Sequence, residues 1–273
     1  MLRRRTARAA RTLPFLFFLA ALAAWRTAAP AQQSPGTETP QTTPTAPPAI
    51  PGTQGLPERP PAPPPPLVVI LDPAHGGADS GAHSEGDEAV TEKDVVLAIA
   101  QAMRRELERQ GIRVVLTRQG DTDVSINDRA AIANALPAGF FVSLHVGSTG
   151  DENTAQAYSF GAPLGGAPPA FVPRPVGLAM VRWEDAQASF SVPSRRLAEL
   201  VQVELAQKLR GSPDVPQFAE VRQLRVVAHP AVAIELSNVG EDDPAALQKT
   251  AAPLANALAR ALAVYRQSLE AKP

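Results

Sequence analysis

Leu67–Asp79 reads LVVILDPAHGGAD, and the fold is decided here. Five apolar residues, Leu67 to Leu71, run without a break, as in a strand buried on both faces. Asp72-Pro73 ends the run, because proline has no N–H to give to a central ladder. Ala74-His75-Gly76-Gly77 follows, so a histidine sits where strand becomes loop, beside two glycines that let the backbone pass close to another group. In open α/β sheets ligands bind beyond the carboxyl ends of the strands, and His75 falls at such an end.

Downstream, helical and strand patterns alternate. Thr91-Glu92-Lys93-Asp94 has the form of a capping box, and Val96, Ile99, Ala100, Met103 and Leu107 recur at helical spacing as far as Gly111. Ile112 to Thr117 reads as a second strand. Ser125 opens a helix that runs to about Leu136, and Gly139 to Leu144 is a third strand ending at His145. Gly150 to Pro193 is rich in Gly and Pro, with an edge strand near Gln156 to Phe160 and a turn of structure around Trp183. Ser194 caps a helix that stops at Gly211. Leu224 to Ala228 and Ala231 to Leu236 read as one or two strands around His229-Pro230. Asp243-Pro244 opens a last helical region, bent or divided at Pro253. The alternation predicts an α/β fold: a mostly parallel twisted sheet with helices on both faces, in a single catalytic domain over residues 67–270.

Upstream lies no second globular module. Arg3, Arg4, Arg5, Arg8 and Arg11 precede an apolar run from Leu13 to Trp25, and Ala29-Pro30-Ala31 supplies small residues for cleavage. That order reads as a secretory signal peptide over residues 1–31. The run falls short of the roughly 20 residues of a spanning helix, although an uncleaved tilted anchor is the alternative. Pro30 to Pro66 holds fourteen of the chain's 29 prolines, so residues 32–66 read as a disordered proline-rich linker. The expected location is outside the cytoplasm, in the periplasm or cell envelope, with no stable membrane span once the signal is removed.

A formal net charge of −1 gives no reason to expect nucleic acid as a partner. The chain has no cysteine, which excludes disulfides, thiolate metal sites and cysteine nucleophiles. A metal would need histidine and carboxylate, and the four histidines are His75, His83, His145 and His229.

If the strands are parallel, His75, Glu92, His145 and Glu235 project from one edge of the sheet. Two imidazoles and one carboxylate make a catalytic zinc set with a position open for water. A further carboxylate, not bound to metal, would take that water's proton. Each residue alone has an ordinary explanation, but Glu235 lies in the apolar strand AVAIEL, where a charge needs a partner or a metal. Asp79 is close enough in sequence to rival Glu92 as a ligand. Asp72 would orient His75 or merely end the strand. Arg118 and Arg129 could hold a substrate carboxylate or form surface salt bridges. His83 reads as a rim residue and His229 as structural.

The segments VVILDPAHGGADSGA, EKDVVLAIAQAM, GIRVVLTRQGDTDVSINDRAAIAN, FFVSLH and PAVAIEL occur in that order. Together they resemble the zinc-dependent N-acetylmuramoyl-L-alanine amidases of bacteria. The resemblance implies that His75, Glu92 and His145 bind one zinc ion and that Glu235 is the catalytic acid/base. It implies peptidoglycan as substrate, cut between the lactyl group of N-acetylmuramic acid and L-alanine of the stem peptide. Three departures stand out. Ala74 replaces a usual Gly, Val146-Gly147 replaces a usual Ala-Asn, and Ser237-Asn238-Val239-Gly240 shortens a usual Gly-Phe-x-x-Asn segment. Two other readings compete: a catalytically silent wall-binding protein, and a zinc peptidase acting on a different wall amide. Some relatives carry an inserted plug helix that an activator removes. Gly150 to Pro193 shows no long amphipathic helix, so an unplugged enzyme is expected and no regulatory partner is indicated.

Overall fold

A computed structural model describes residues 66–84, 90–161, 182–239 and 244–270. The predicted signal peptide, the linker up to residue 65, residues 162–181 of the Gly/Pro-rich stretch and Asp243 lie outside the described residues. No helix among the described residues is long and apolar enough to cross a membrane.

The fold is α/β, as the alternation predicts. Strands β1 (Val68–Pro73), β2 (Arg113–Leu116), β3 (Phe140–Val146), β4 (Ala155–Phe160), β5 (Gln217–Ala219) and β6 (Ala231–Leu236) form one sheet in the order β2-β1-β3-β6-β4-β5. The first four in that order are mutually parallel. β4 runs antiparallel to β6, and β5 runs parallel to β4.

Helices α1 (Glu92–Arg109), α2 (Ile126–Asn134), α3 (Ser191–Lys208), α4 (Arg222–Arg225), α5 (Pro244–Lys249) and α6 (Ala251–Glu270) cover the sheet, with a 3-10 helix over Trp183–Phe190. Alternate residues of each strand face opposite sides. Leu71, Val142, Leu144 and Ile234 join Ile99, Leu197 and Leu258 in the larger core. Ile70, Phe141 and Ala233 join Ala133 and Leu224 in the smaller one. Burying each large aliphatic side chain contributes about 1.5–3 kcal/mol. Strands apolar on both faces are therefore what this two-layer covering demands.

Several expectations need correction. Leu224 to Ala228 is not a strand but the end of α4 and a turn. Asn134 Nδ2 donates to Val226 O and Asn134 Oδ1 accepts from Ala228 N, so one side chain satisfies groups that a ladder would have paired. Ser194 does not cap α3, which starts at Ser191. Ser194 Oγ is buried, donates to Gln187 Oε1 and accepts from Ala231 N. The strand near Gln156 is not an edge strand, because β5 lies outside it. The last helical region breaks at Thr250, ahead of Pro253, and the proline sits in the first turn of α6, where its missing N–H has no partner to lose.

Pro73 is the last residue of β1, paired only with Leu144 on β3, while the ladder to β2 has already ended at Leu71. The missing N–H therefore costs no hydrogen bond, and the chain leaves the sheet there into the loop that carries His75.

Candidate active site

His145 and Glu235 are register partners on β3 and β6, so they project to the same face near the strands' carboxyl ends. His75 lies two residues past β1, and Glu92 is the first residue of α1. The loop and helix bring both to the same edge. His75 Nε2 is 3.0 Å from Glu92 Oε2, and His145 Nδ1 is 3.1 Å from Glu92 Oε1. The two rings meet edge-on with centroids 5.5 Å apart. One ligand atom from each of His75, Glu92 and His145 falls within 4.8 Å of the others.

His75 has φ +60°, a left-handed conformation that a non-glycine residue holds only when its surroundings over-determine it. Here its Nδ1–H donates to Asp79 Oδ2 at 2.8 Å, and Arg129 Nη2 donates to its carbonyl at 2.5 Å. Arg118 donates to the preceding carbonyls, Nε to Pro73 O and Nη2 to Ala74 O, each at 2.9 Å.

Both oxygens of Glu92 are also held by backbone: Ala82 N donates to Oε2 at 2.9 Å and Val146 N to Oε1 at 3.1 Å. Gly81 makes this close passage possible. With φ +67°, a Cβ there would lie 2.5 Å from Glu92 Oε2 and 2.7 Å from His75 Cδ2. Burial alone would raise the Glu92 carboxyl. Hydrogen bonds from His145, His75 and Ala82 outweigh it and hold the group well below the usual carboxylate range. The bond to Glu92, opposed by burial and joined by the bond to Asp79, raises His75 above 6.5.

On the far side of His145, Ser143 Oγ lies 3.3 Å from Nε2 and donates to Asp72 Oδ2 at 2.9 Å. Asp72 is fully buried, and its other oxygen accepts from Thr117 Oγ1 at 2.6 Å and Arg129 Nη1 at 2.7 Å. Each imidazole thus has its outer nitrogen fixed and its inner nitrogen turned to Glu92. Metal-binding histidines are oriented in this way, and two imidazoles with one carboxylate suit a divalent cation. The donor set fits one.

Glu235 stands beside the set. Tyr158 neighbours it: burial, then the Glu235 charge, push the tyrosine up to about 12. A Cβ at Gly147 would lie 2.8 Å from Glu235 Oε1. Of the Val146-Gly147 departure, the Val146 side chain turns into the larger core while its N–H reaches Glu92, and Gly147 is the residue against Glu235.

The other predicted residues fall elsewhere. Asp72 does not touch His75. It acts on the His145 side, and Asp79 is the residue on His75. Asp79 is no rival ligand, since it occupies the outer nitrogen with its side chain 64% exposed. Arg118 and Arg129 are neither surface salt bridges nor open to a substrate carboxylate. Both are buried and committed to Pro73 O, Ala74 O, His75 O and Asp72. His83 is exposed and bridges Thr91. His229 is buried, with Nε2 2.9 Å from Ala133 O. Sequence reading missed Ser143, Gly81 and Tyr158. Ser143 carried a signal: two residues before His145 on a strand, it must share its face.

A family model described as N-acetylmuramoyl-L-alanine amidase matches residues 69–264. The N-acetylmuramoyl-L-alanine amidase AmiA of Escherichia coli K12 is 44% identical over 93 residues, covering 34% of this chain and 32% of the relative. The sporulation-specific N-acetylmuramoyl-L-alanine amidase of Bacillus subtilis 168 is 44% identical over 84 residues, covering 30% and 32%. The matched stretch spans about a third of the length of these relatives. Among solved structures, N-acetylmuramoyl-L-alanine amidase AmiC2 of Nostoc punctiforme superposes with TM-score 0.52 at 27% identity, over 74% of this chain and 97% of that one. CwlD amidase of Clostridioides difficile, solved with the GerS lipoprotein, superposes with TM-score 0.55 at 22% identity over 74% and 99%, a likeness of fold.

Proposed function

The chain belongs to the N-acetylmuramoyl-L-alanine amidase family, and from that premise we propose that it hydrolyses the amide joining the lactyl group of N-acetylmuramic acid to L-alanine in peptidoglycan. The observation that carries this reading is the convergence of His75, Glu92 and His145 within 4.8 Å on the sheet edge that also holds Glu235.

In this proposal His75 Nε2, His145 Nδ1 and the Glu92 carboxylate hold one zinc ion. The chemistry zinc supplies in such a set is Lewis acidity, which acidifies water and polarises a carbonyl. The protein's own groups do the rest. Asp79 and the Ser143–Asp72 pair keep each imidazole in the tautomer whose lone pair faces inward. Glu235 takes a proton from the attacking water and delivers it to the departing alanine nitrogen. Tyr158, beside Glu235, is placed to steady that carboxylate.

Residues 1–31 serve as an export signal, residues 32–66 as a spacer and residues 67–270 as the catalytic domain, which suits a substrate outside the cytoplasm. An exported chain beginning near Gln32 supports that division, and one retaining Met1 argues for an anchor. The activity is tested by digesting sacculi with the full chain and with Glu235→Gln. Intact stem peptides with new L-alanine amino termini, released by wild type and not by the variant, support the reading. Peptide-internal termini point to a zinc peptidase instead.

A further inference from the structure

A cavity of about 200 Å³ opens beside His75, walled by Gly76, Asp79, Val124, Arg129 and Arg222. A second, of about 370 Å³, shares Arg222 and is lined also by Phe160, Gln187 and the carboxylates of Glu184, Asp185 and Glu220. Arg222 is the residue that α4 places in both walls. The first cavity therefore runs from a candidate metal ligand to a guanidinium.

The two cations of that first wall differ in their freedom. Arg129 is buried and donates to Val124 O, Asp72 Oδ1, Pro73 O and His75 O at 2.5–2.8 Å. Arg222 is exposed and, among the described residues, has no hydrogen-bond or ion-pair partner. Asp79 and Asp123 line the same wall, and neither pairs with it; the Asp79 oxygens are engaged by His75 Nδ1 and Gly81 N. A guanidinium left free in a concave wall is suited to a planar carboxylate.

We infer that Arg222 binds a carboxylate of the stem peptide and so sets which side of the scissile bond enters this cavity. The inference rests on the proposed amidase reading and deepens it. On the sugar side of that bond the lactyl carboxyl is consumed in the amide itself. On the amine side a peptide retains at least its terminal carboxylate. Charge thus assigns the cavity at His75 to the peptide and leaves the opposite direction to the glycan strand.

The test measures binding apart from cleavage. Full-length Glu235→Gln, loaded with zinc, is titrated calorimetrically with a synthetic muramyl peptide bearing free carboxylates and with the same peptide amidated. Losing one charge-assisted contact of this kind should weaken binding about tenfold. The free acid should therefore bind about tenfold more tightly, Arg222→Ala in the same background should abolish that preference, and Arg222→Lys should retain part of it. Equal preference in Arg222→Ala and its parent overturns the inference, as does a parent with no preference. Cleavage is scored separately with the Glu235 protein. Carboxylate-dependent binding without cleavage of either peptide would overturn the amidase reading while sustaining the role of Arg222.

Discussion

Ser143 Oγ lies 3.3 Å from His145 Nε2, the two residues sharing one face of β3. Because the hydroxyl hydrogen is given to Asp72, the serine oxygen accepts from the ring N–H, and the lone pair of Nδ1 turns to Glu92. Outer contacts of this type are worth ten- to a hundredfold in metal affinity. Ser143→Ala should therefore bind zinc at least about tenfold more weakly while keeping its fold, as competition with a chelating dye would measure. Unchanged affinity would remove Ser143 from the account.

Gly81 and Gly111 form a matched pair. Both have positive φ, +67° and +77°, but a Cβ at Gly111 meets nothing within 4 Å. Alanine at either position costs about 1–2 kcal/mol for the left-handed backbone. Only Gly81→Ala drives a methyl against Glu92 and His75, so only that variant should also lose zinc binding. Equal zinc affinity in the two variants would contradict the crowding seen at Gly81.

Arg129 and Asp72 form a buried ion pair at 2.7 Å. Removing one partner of such a pair leaves an uncompensated charge and costs about 3–5 kcal/mol. Arg129→Ala should lower unfolding stability by that order in a denaturant titration. A stable Arg129→Ala with impaired substrate binding would restore the substrate-holding role that its burial argues against.

The metal-free chain should show a pH window of stability. Glu92 is lowered from 4.5, so its contribution is present above that value and is lost as pH falls toward the folded value. His75 is raised from 6.5, so its contribution is complete below 6.5 and is lost as pH rises through the folded value. The stability difference between wild type and Glu92→Gln, both stripped of metal, should be greatest between pH 4.5 and 6.5 and shrink toward alkaline pH. A difference that keeps growing with pH would show that His75 protonation has no part in it.

Gly147 leaves room for Glu235, since a Cβ would come within 2.8 Å of Oε1. Gly147→Ala should displace the carboxylate and reduce kcat by about ten- to a hundredfold, the scale of an ångström's misplacement, with zinc affinity unchanged. Full turnover in that variant would mean the carboxylate tolerates the shift.

Much of this was legible in the residues. The apolar runs at Leu67–Leu71 and Ala231–Leu236 give central strands, and parallel pairing then puts His75, His145 and Glu235 on one edge. Illegible parts depended on tertiary partners. β5 has three residues and no pattern. The apolar segment after Leu224 is diverted from a strand by a side chain some 90 residues away in sequence. The roles of Arg118 and Arg129 turn on burial, which a charged residue type does not announce. Asp79 takes the place at His75 expected of Asp72, because the Asp72 oxygens are taken by Thr117, Arg129 and Ser143, whereas Asp79 is returned to His75 by the loop bond from Gly76 N to Asp79 O.

The central claim is tested most directly by incubating peptidoglycan with the full chain, with chelator, and with chelator followed by zinc, and weighing the products. The account predicts separated glycan strands and intact stem peptides beginning with L-alanine, absent with chelator and restored by zinc. Cleavage that persists with chelator, or products cut within the peptide, would contradict it.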